Sequence, residues 1–294
     1  MAASDHLSIC VTCGTHYDIP YDNRPSTCRM CLEPRQFVPP SGHSWTSLEQ
    51  LKATHKNEFK QDENDGRIWS IFSTPQVAIG QRAIFIQTES GNVLWDCISL
   101  LDQETIDFIN SRGGLVAIAI SHPHFYSTHL EWAREFQCPV YLAYEDQEWL
   151  NRDDQENRRV FFKDETQNIL PDVNMVKVGG HFPGSSVLHW NKNIFTGDSI
   201  GISQSGLSRS HHSKDHQVFF FHYAFPNLVP LGPTAMHTMW KRLRVWEFTA
   251  VYSLFFTTTV RGDNVKRLML DSMQRQARHQ ENFGHPLLQE QLSA

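Results

Sequence analysis

Four of the six cysteines carry the clearest chemistry in the chain: Cys10-x2-Cys13 and Cys28-x2-Cys31, with fourteen residues between the two pairs. Two such knuckles are what a tetrahedral four-thiolate zinc site needs. Each turn presents two sulfurs and leaves backbone N–H groups to bond to them. The separation is one residue short of the usual range, a small departure in a loop. The intervening GTHYDIPYDNRPST supplies turn residues and no core. A segment of about 40 residues buries too little apolar surface to fold alone, so the metal must supply much of its folding free energy. Two disulfides, or a dithiol redox pair, are the competing readings. The opening residues MAASDHLSIC have neither a basic nor an apolar leader region, so no secretory signal is expected, which argues against disulfides. A redox CxxC is usually single and sits beside a βαβ unit. The spacing therefore predicts a structural Zn2+ with no open position, a brace or a docking element for a protein partner. Cys97 and Cys138 lie among apolar residues and read as buried thiols.

A second set of ligand types lies at the ends of predicted strands. Ser121-His122-Pro123-His124 follows the apolar run LVAIAI directly. In extended backbone, residues i and i+2 point to one side, so His122 and His124 can aim at one ion. Gly179-Gly180-His181-Phe182-Pro183-Gly184 then uses glycines to turn a histidine out of a strand end. Phe195-Thr196-Gly197-Asp198 places a carboxylate at another. Three histidines and one aspartate in the same strand-to-loop context form a candidate ligand set for Zn2+ or, as the lesser alternative, Fe2+.

The order SHPH, GGHFPGSSVLHW, IFTGDSI resembles the metallo-β-lactamase-fold superfamily, whose motifs are HxHxDH, a GGHTPGS-like turn and FTGD. The resemblance covers roughly residues 67–200 well and the last third loosely. It implies an α/β fold, an αββα sandwich with metals at one edge of its sheets, and hydrolysis of esters, thioesters, lactams, lactones or phosphodiesters. By position it makes His122, His124 and His181 ligands of the first metal and Asp198 the bridging carboxylate. Asp96 in NVLWD matches an acid that supports the site from behind.

The chain departs from that pattern after His124. Tyr126 stands where the second metal's Asp is expected and Ser127 where its His is expected, and neither is a zinc ligand at neutral pH. His129, two residues on, is a candidate general base or returning ligand. Tyr126 is a candidate donor to a substrate oxyanion, with aromatic packing as the alternative. His222 and His237 are candidates for the late histidine of a second metal. The cluster His211, His212, Asp215 and His216 reads as a solvated loop or a further ligand source.

Three functions follow. The leading one is a hydrolase with one zinc, whose bound hydroxide attacks an ester, thioester or lactone. A phosphodiester is disfavoured because no Arg/Lys pair accompanies the motifs. The second is a mononuclear iron oxygenase of persulfide-dioxygenase type. The third is a non-catalytic binding protein that keeps the fold and the cysteine module for a partner.

The elements that must position these residues alternate short apolar runs with turns. A zinc-ribbon-like module is expected over 1–44 and a metallo-β-lactamase-like domain over 45–294, divided near Pro39-Pro40-Ser41-Gly42. A helical turn at Leu48 and Leu51 leads into the polar stretch KNEFKQDENDG. RIWSIF, QVAIG, AIFIQT and NVLWDC then read as antiparallel strands. Helices are expected at 103–112, 128–137, 234–246 and 263–282, and further strands at PVYLA, VFF, NMVKV, SVLHW and NIFTG. LVAIAI, apolar throughout, reads as a strand covered on both faces.

Composition sets the outer bounds. Across 294 residues, 40% hydrophobic content with eight Trp and nineteen Phe requires a folded core. Lys+Arg 26 against Asp+Glu 32 leaves −6, and no dense basic run occurs, so no nucleic-acid partner is expected. No run approaches the roughly 18 apolar residues of a membrane helix. A soluble, cytoplasmic protein with a small-molecule substrate is the resulting expectation.

Overall fold

The apolar run before His122 becomes the strand Ala117–Ala119, third of seven in a large sheet and buried with its neighbours Leu115 and Ile120. The computed structural model describes residues 4–208 and 216–292. They fall into two units, Met1–Phe162 and Lys163–Ala294.

In the first unit, strands β1 (Leu7–Cys10), β2 (His16–Pro20) and β3 (Trp45–Thr46) form a small antiparallel sheet in the order β2-β1-β3. Its third strand comes from just beyond residue 44. Helix α1 (Leu48–Thr54) follows, capped by the Ser47 hydroxyl, which accepts from the Gln50 N–H at 3.3 Å. Ile9 of β1 packs with Leu48, Leu51 and Leu100, so the cysteine segment is anchored by apolar contact.

The large sheet runs β10-β9-β8-β7-β6-β5-β4. Its strands are β4 (Lys56–Gln61), β5 (Ile68–Thr74), β6 (Ala83–Thr88), β7 (Gly91–Trp95), β8 (Ala117–Ala119), β9 (Val140–Ala143) and β10 (Arg159–Phe162). The strands β4 to β7 pair antiparallel, and β7 to β10 pair parallel. Helices α2 (Gln103–Asn110) and α3 (His129–Phe136) cross between the parallel strands.

Two expectations change here. KNEFKQ, read as a polar stretch, is the edge strand β4. Lysines, glutamate and glutamine suit an edge that must not recruit another strand. QVAIG, read as a strand, is a turn between β5 and β6, where Ala78 and Gly80 both take positive φ. Its alternation was too short to outweigh the flanking Pro75 and Gly80.

In the second unit a six-stranded sheet runs β11-β12-β13-β14-β19-β20. These are β11 (Thr166–Leu170), β12 (Val173–Lys177), β13 (Ser186–Trp190) and β14 (Asn193–Phe195), with β19 (Ala250–Tyr252) and β20 (Thr259–Arg261). The β13–β14 hairpin turns on Asn191 and Lys192, both at positive φ, as a two-residue turn with the twist of the strands demands. Short pairs β15 (Gly201–Ile202) with β16 (Phe219–Phe220), and β17 (His222–Ala224) with β18 (Val229–Pro230), precede α4 (Pro233–Leu243) and α5 (Val265–His279). The core of this unit joins Val187, Ile194 and Val251 of the sheet to Met236, Trp240, Leu268 and Met269 of the helices. Among the described residues, no helix is long and apolar enough to cross a membrane.

Candidate metal centres

The four cysteines converge in the first unit. Cys10 Sγ lies 3.6 Å from Cys31 Sγ, and Cys13 Sγ 3.6 Å from Cys28 Sγ. Four sulfurs at about 2.3 Å from a tetrahedral zinc stand roughly 3.8 Å apart, whereas a disulfide requires about 2.05 Å. All four are buried free thiols within 4.8 Å of one another. Hydrogen bonds within the cluster, from Cys10 first, pull the Cys28 thiol far below the ordinary thiol range, while burial pushes Cys13 up. Tyr17 puts its hydroxyl 3.2 Å from Cys28 Sγ and accepts from the Arg29 N–H at 3.2 Å, a contact that orients the ligand from outside. The four sulfurs form a donor set that could hold one metal ion.

Further along the same unit, the parallel register Trp95↔Ala119 sets the ends of β7 and β8 side by side. Asp96, buried and at φ 60, receives the Ser121 N–H at 2.6 Å and the Ser121 hydroxyl at 3.0 Å. Having given its proton to Asp96, the Ser121 oxygen accepts from His122 Nδ1 at 2.8 Å. That chain fixes the tautomer, placing the proton on Nδ1 and the lone pair on Nε2. His124, on the 3-10 turn Pro123–Phe125, turns its ring toward that of His122, and their ligand nitrogens lie within 4.8 Å. Both rings are buried.

In the second unit, Gly179 (φ 68) and Gly180 (φ 91) turn the chain out of β12. A side chain at Gly180 would meet Leu231 Cδ2 at 2.9 Å, so close approach and backbone angle both require glycine. The parallel pairing Phe195↔Tyr252 ends β14 just before Asp198. Ser199 donates to the Gly179 carbonyl at 2.9 Å and accepts from the His181 N–H at 3.3 Å, tying the two loops together. His181 Nδ1 donates to the Tyr223 carbonyl at 2.6 Å, which leaves the lone pair on Nε2. That nitrogen faces Asp198 Oδ2 at 3.5 Å, both residues fully buried. An imidazole nitrogen and a carboxylate oxygen so placed are a pair that could ligate one cation.

The residues at the pattern's break make contacts of a different kind. The Tyr126 hydroxyl donates to the Asp146 carbonyl at 3.3 Å, and burial raises its pKa. Ser127, at φ 41, shares a hydrogen bond with Ser99 at 3.0 Å and reaches the Gly14 carbonyl of the cysteine segment at 3.4 Å. His129 donates from Nδ1 to the Tyr126 carbonyl at 2.7 Å and accepts at Nε2 from Arg159 Nε at 2.9 Å. Burial, with the Arg159 charge behind it, lowers its pKa to about 3. Both ring nitrogens are therefore engaged.

His222 and His237 separate clearly. His237 Nε2 pairs with Glu290 Oε1 at 2.9 Å on α4. His222 is held below the ordinary histidine range by burial, while the charge of Asp198 works against that shift, and its Nδ1 has no hydrogen-bond partner among the described residues. His216 uses its carbonyl to accept from Arg275 at 2.7 Å. His211, His212 and Asp215 lie outside the described residues. Sequence reasoning missed Ser121, Ser199 and the Tyr223 carbonyl; serines are too common to signal this, and a carbonyl leaves no signal at all.

No family profile matches the chain. It is 39% identical over 255 residues to the uncharacterized protein YmaE of Bacillus subtilis, covering 84% of this chain and 88% of the relative. Among solved structures it is similar to the metallo-β-lactamase FIM-1 of Pseudomonas aeruginosa in its mono-zinc form, at 14% identity and TM-score 0.50, over 75% of this chain and 96% of that one. TMB-1 matches at 13% identity and TM-score 0.51, over 75% and 98%. A flavo di-iron protein mutant from Thermotoga maritima matches at 12% and 0.50, over 75% and 61%. The chain has the metallo-β-lactamase fold and belongs to the same family as YmaE.

Proposed function

We propose that this protein is a metal-dependent hydrolase in which His122, His124, His181 and Asp198 hold one zinc ion, separate from a structural zinc on Cys10, Cys13, Cys28 and Cys31. The observation that carries this reading is the opposed pair His181 and Asp198, a buried imidazole lone pair 3.5 Å from a carboxylate oxygen. A zinc ion there would lower the pKa of a bound water toward about 7 and polarise a substrate carbonyl.

The chain's own part is orientation. Asp96 and Ser121 hold His122 with its proton on Nδ1, and the Tyr223 carbonyl does the same for His181. In this reading His129 and Tyr126 are positioning residues: their hydrogen bonds fix the backbone that follows His124. With His129 Nε2 occupied by Arg159, proton movement falls to Asp198, while the half-buried His222 ring lies within its field. An ester, thioester or lactone is the substrate class, since a phosphodiester would call for cationic partners at the motifs.

The test is turnover of a panel of aryl esters, acyl thioesters and lactones by zinc-loaded protein, beside His181→Ala. Hydrolysis of one class, lost by a factor of about a thousand in the variant, is expected. A zinc-loaded protein that turns over no member of the panel contradicts the reading. Oxygen uptake on a persulfide by iron-loaded protein would move the assignment to an oxygenase.

A further inference from the structure

Beside His181 and Asp198 the second unit carries a group of aromatic rings that its core does not absorb. Along residues 219–222 burial alternates, as it does on a strand with one covered face. Phe219 and Phe221 are fully buried in the core, whereas Phe220 and His222 are half-buried. Phe225 and Phe255, also half-buried, extend the group. Between ring centroids, Phe220 lies 4.8 Å from His222 and 5.4 Å from Phe225, and Phe225 lies 5.8 Å from His222 and 6.4 Å from Phe255. The tip of the β17–β18 hairpin adds Leu228, 74% exposed and at φ 54. Glycine or asparagine would hold that backbone angle at lower cost, and the leucine side chain gains no burial there.

Two contacts fix these rings to the ligand loops. Gly201, three residues past Asp198, pairs with Phe220 across β15 and β16. A Cβ at Gly201 would stand 2.1 Å from Phe220 Cε2 and Cζ, so the ring lies on bare backbone that any larger residue would push it from. Tyr223, next to His222, gives its carbonyl to His181 Nδ1 at 2.6 Å. The chain that orients one ligand therefore presents rings next to the loop of the other. Three phenyl rings and one imidazole offer area to bury and ring faces to pack on, with polar atoms only on His222. Half-exposed apolar surface of this kind, continuous with a candidate reaction centre, suits the unreactive part of a substrate.

We propose that Phe220, Phe225 and Phe255 seat an apolar substituent of the substrate, an aryl ring or an alkyl chain, beside His181 and Asp198. The proposal rests on the hydrolase reading above for its reaction, and on the ring geometry alone for its binding.

The test extends whichever class the ester, thioester and lactone panel shows to be turned over. One series enlarges the acyl side from acetyl to hexanoyl and phenylacetyl, and a second enlarges the leaving alcohol or thiol by the same groups. A rise in kcat/KM of at least about tenfold along one series is expected, collapsing toward equality in Phe225→Ala. The series that responds shows which side of the substrate meets the rings. A flat response along both overturns the proposal and leaves the hydrolase reading intact. Binding is read separately by saturation-transfer NMR on the full chain, with hexanamide and phenylacetamide compared with acetamide. Transfer to the two larger amides, reduced in Phe225→Ala, is expected; equal transfer in both proteins, or none, overturns the proposal. If no substrate is turned over while the larger amides bind through Phe225, the hydrolase reading fails and the apolar site stands. Should Phe225→Ala not fold, Phe255→Ala takes its place.

Discussion

The four cysteines and the histidine–aspartate residues reach their places by opposite routes. All four thiolates come from a stretch of 22 residues, Cys10 to Cys31, on two knuckles that carry their own geometry. His122 and His124 depend instead on the register of β7 and β8, and His181 and Asp198 on the ends of β12 and β14. In the first case the proposed metal would be a condition of folding, because the segment has only Ile9 and a few neighbours to bury. In the second the sheets exist regardless, and His122 and His181 are held by hydrogen bonds they donate to Ser121 Oγ and to the Tyr223 carbonyl. Removing metal should therefore unfold one region and leave the other standing.

The largest effect expected is on the cysteine segment. Cys10→Ser with Cys28→Ser should open residues 5–46 to protease and lower the melting temperature by ten degrees or more, since structural zinc is worth on the order of 10 kcal/mol to such a module. Limited proteolysis and calorimetry check this, and an unchanged cleavage pattern would break the contrast. Next is Asp96→Asn or Ser121→Ala. Either removes the partner that orients His122 and should weaken metal retention at the histidine site by about 10- to 100-fold while the fold persists. Competition with a fluorescent chelator reads that loss.

A third effect is on acid stability. His129 titrates near 3 in the folded chain against 6.5 when unfolded, so the fold favours its neutral form. The unfolded state binds the extra proton between those values. Stability from this group is therefore complete above about pH 6.5 and lost as the pH falls toward 3. Between pH 6.5 and 5 the loss should be about 2 kcal/mol. Denaturant unfolding at both pH values, with His129→Gln as the reference, should show that slope only in the native chain. The smallest effect is at Ser127→Ala, which removes the contacts to Ser99 and Gly14. It should cost about 1 kcal/mol and leave metal content unchanged. A larger loss would mean that the cysteine segment relies on Ser127 more than on its own ligands.

The same contrast explains what could be read from residues alone. The cysteine spacing is local, so the cluster was legible without the fold. The order SHPH, GGH, TGD was legible because glycines and ligand types cluster at strand ends. The strand β4 was not, because an edge strand of Lys, Glu and Gln has the composition of a loop. Nor were the arrangements behind the ligands: that His129 spends its lone pair on Arg159, thirty residues away, follows from the pairing of β9 with β10 and from no motif.

Counting metals per chain by mass spectrometry, on protein purified without chelator, tests the central claim most directly. The wild type should carry two ions. His181→Ala should keep one, and Cys10→Ser with Cys28→Ser should keep the other. A single ion that survives His181→Ala and vanishes with the cysteines would contradict a metal on His122, His124, His181 and Asp198.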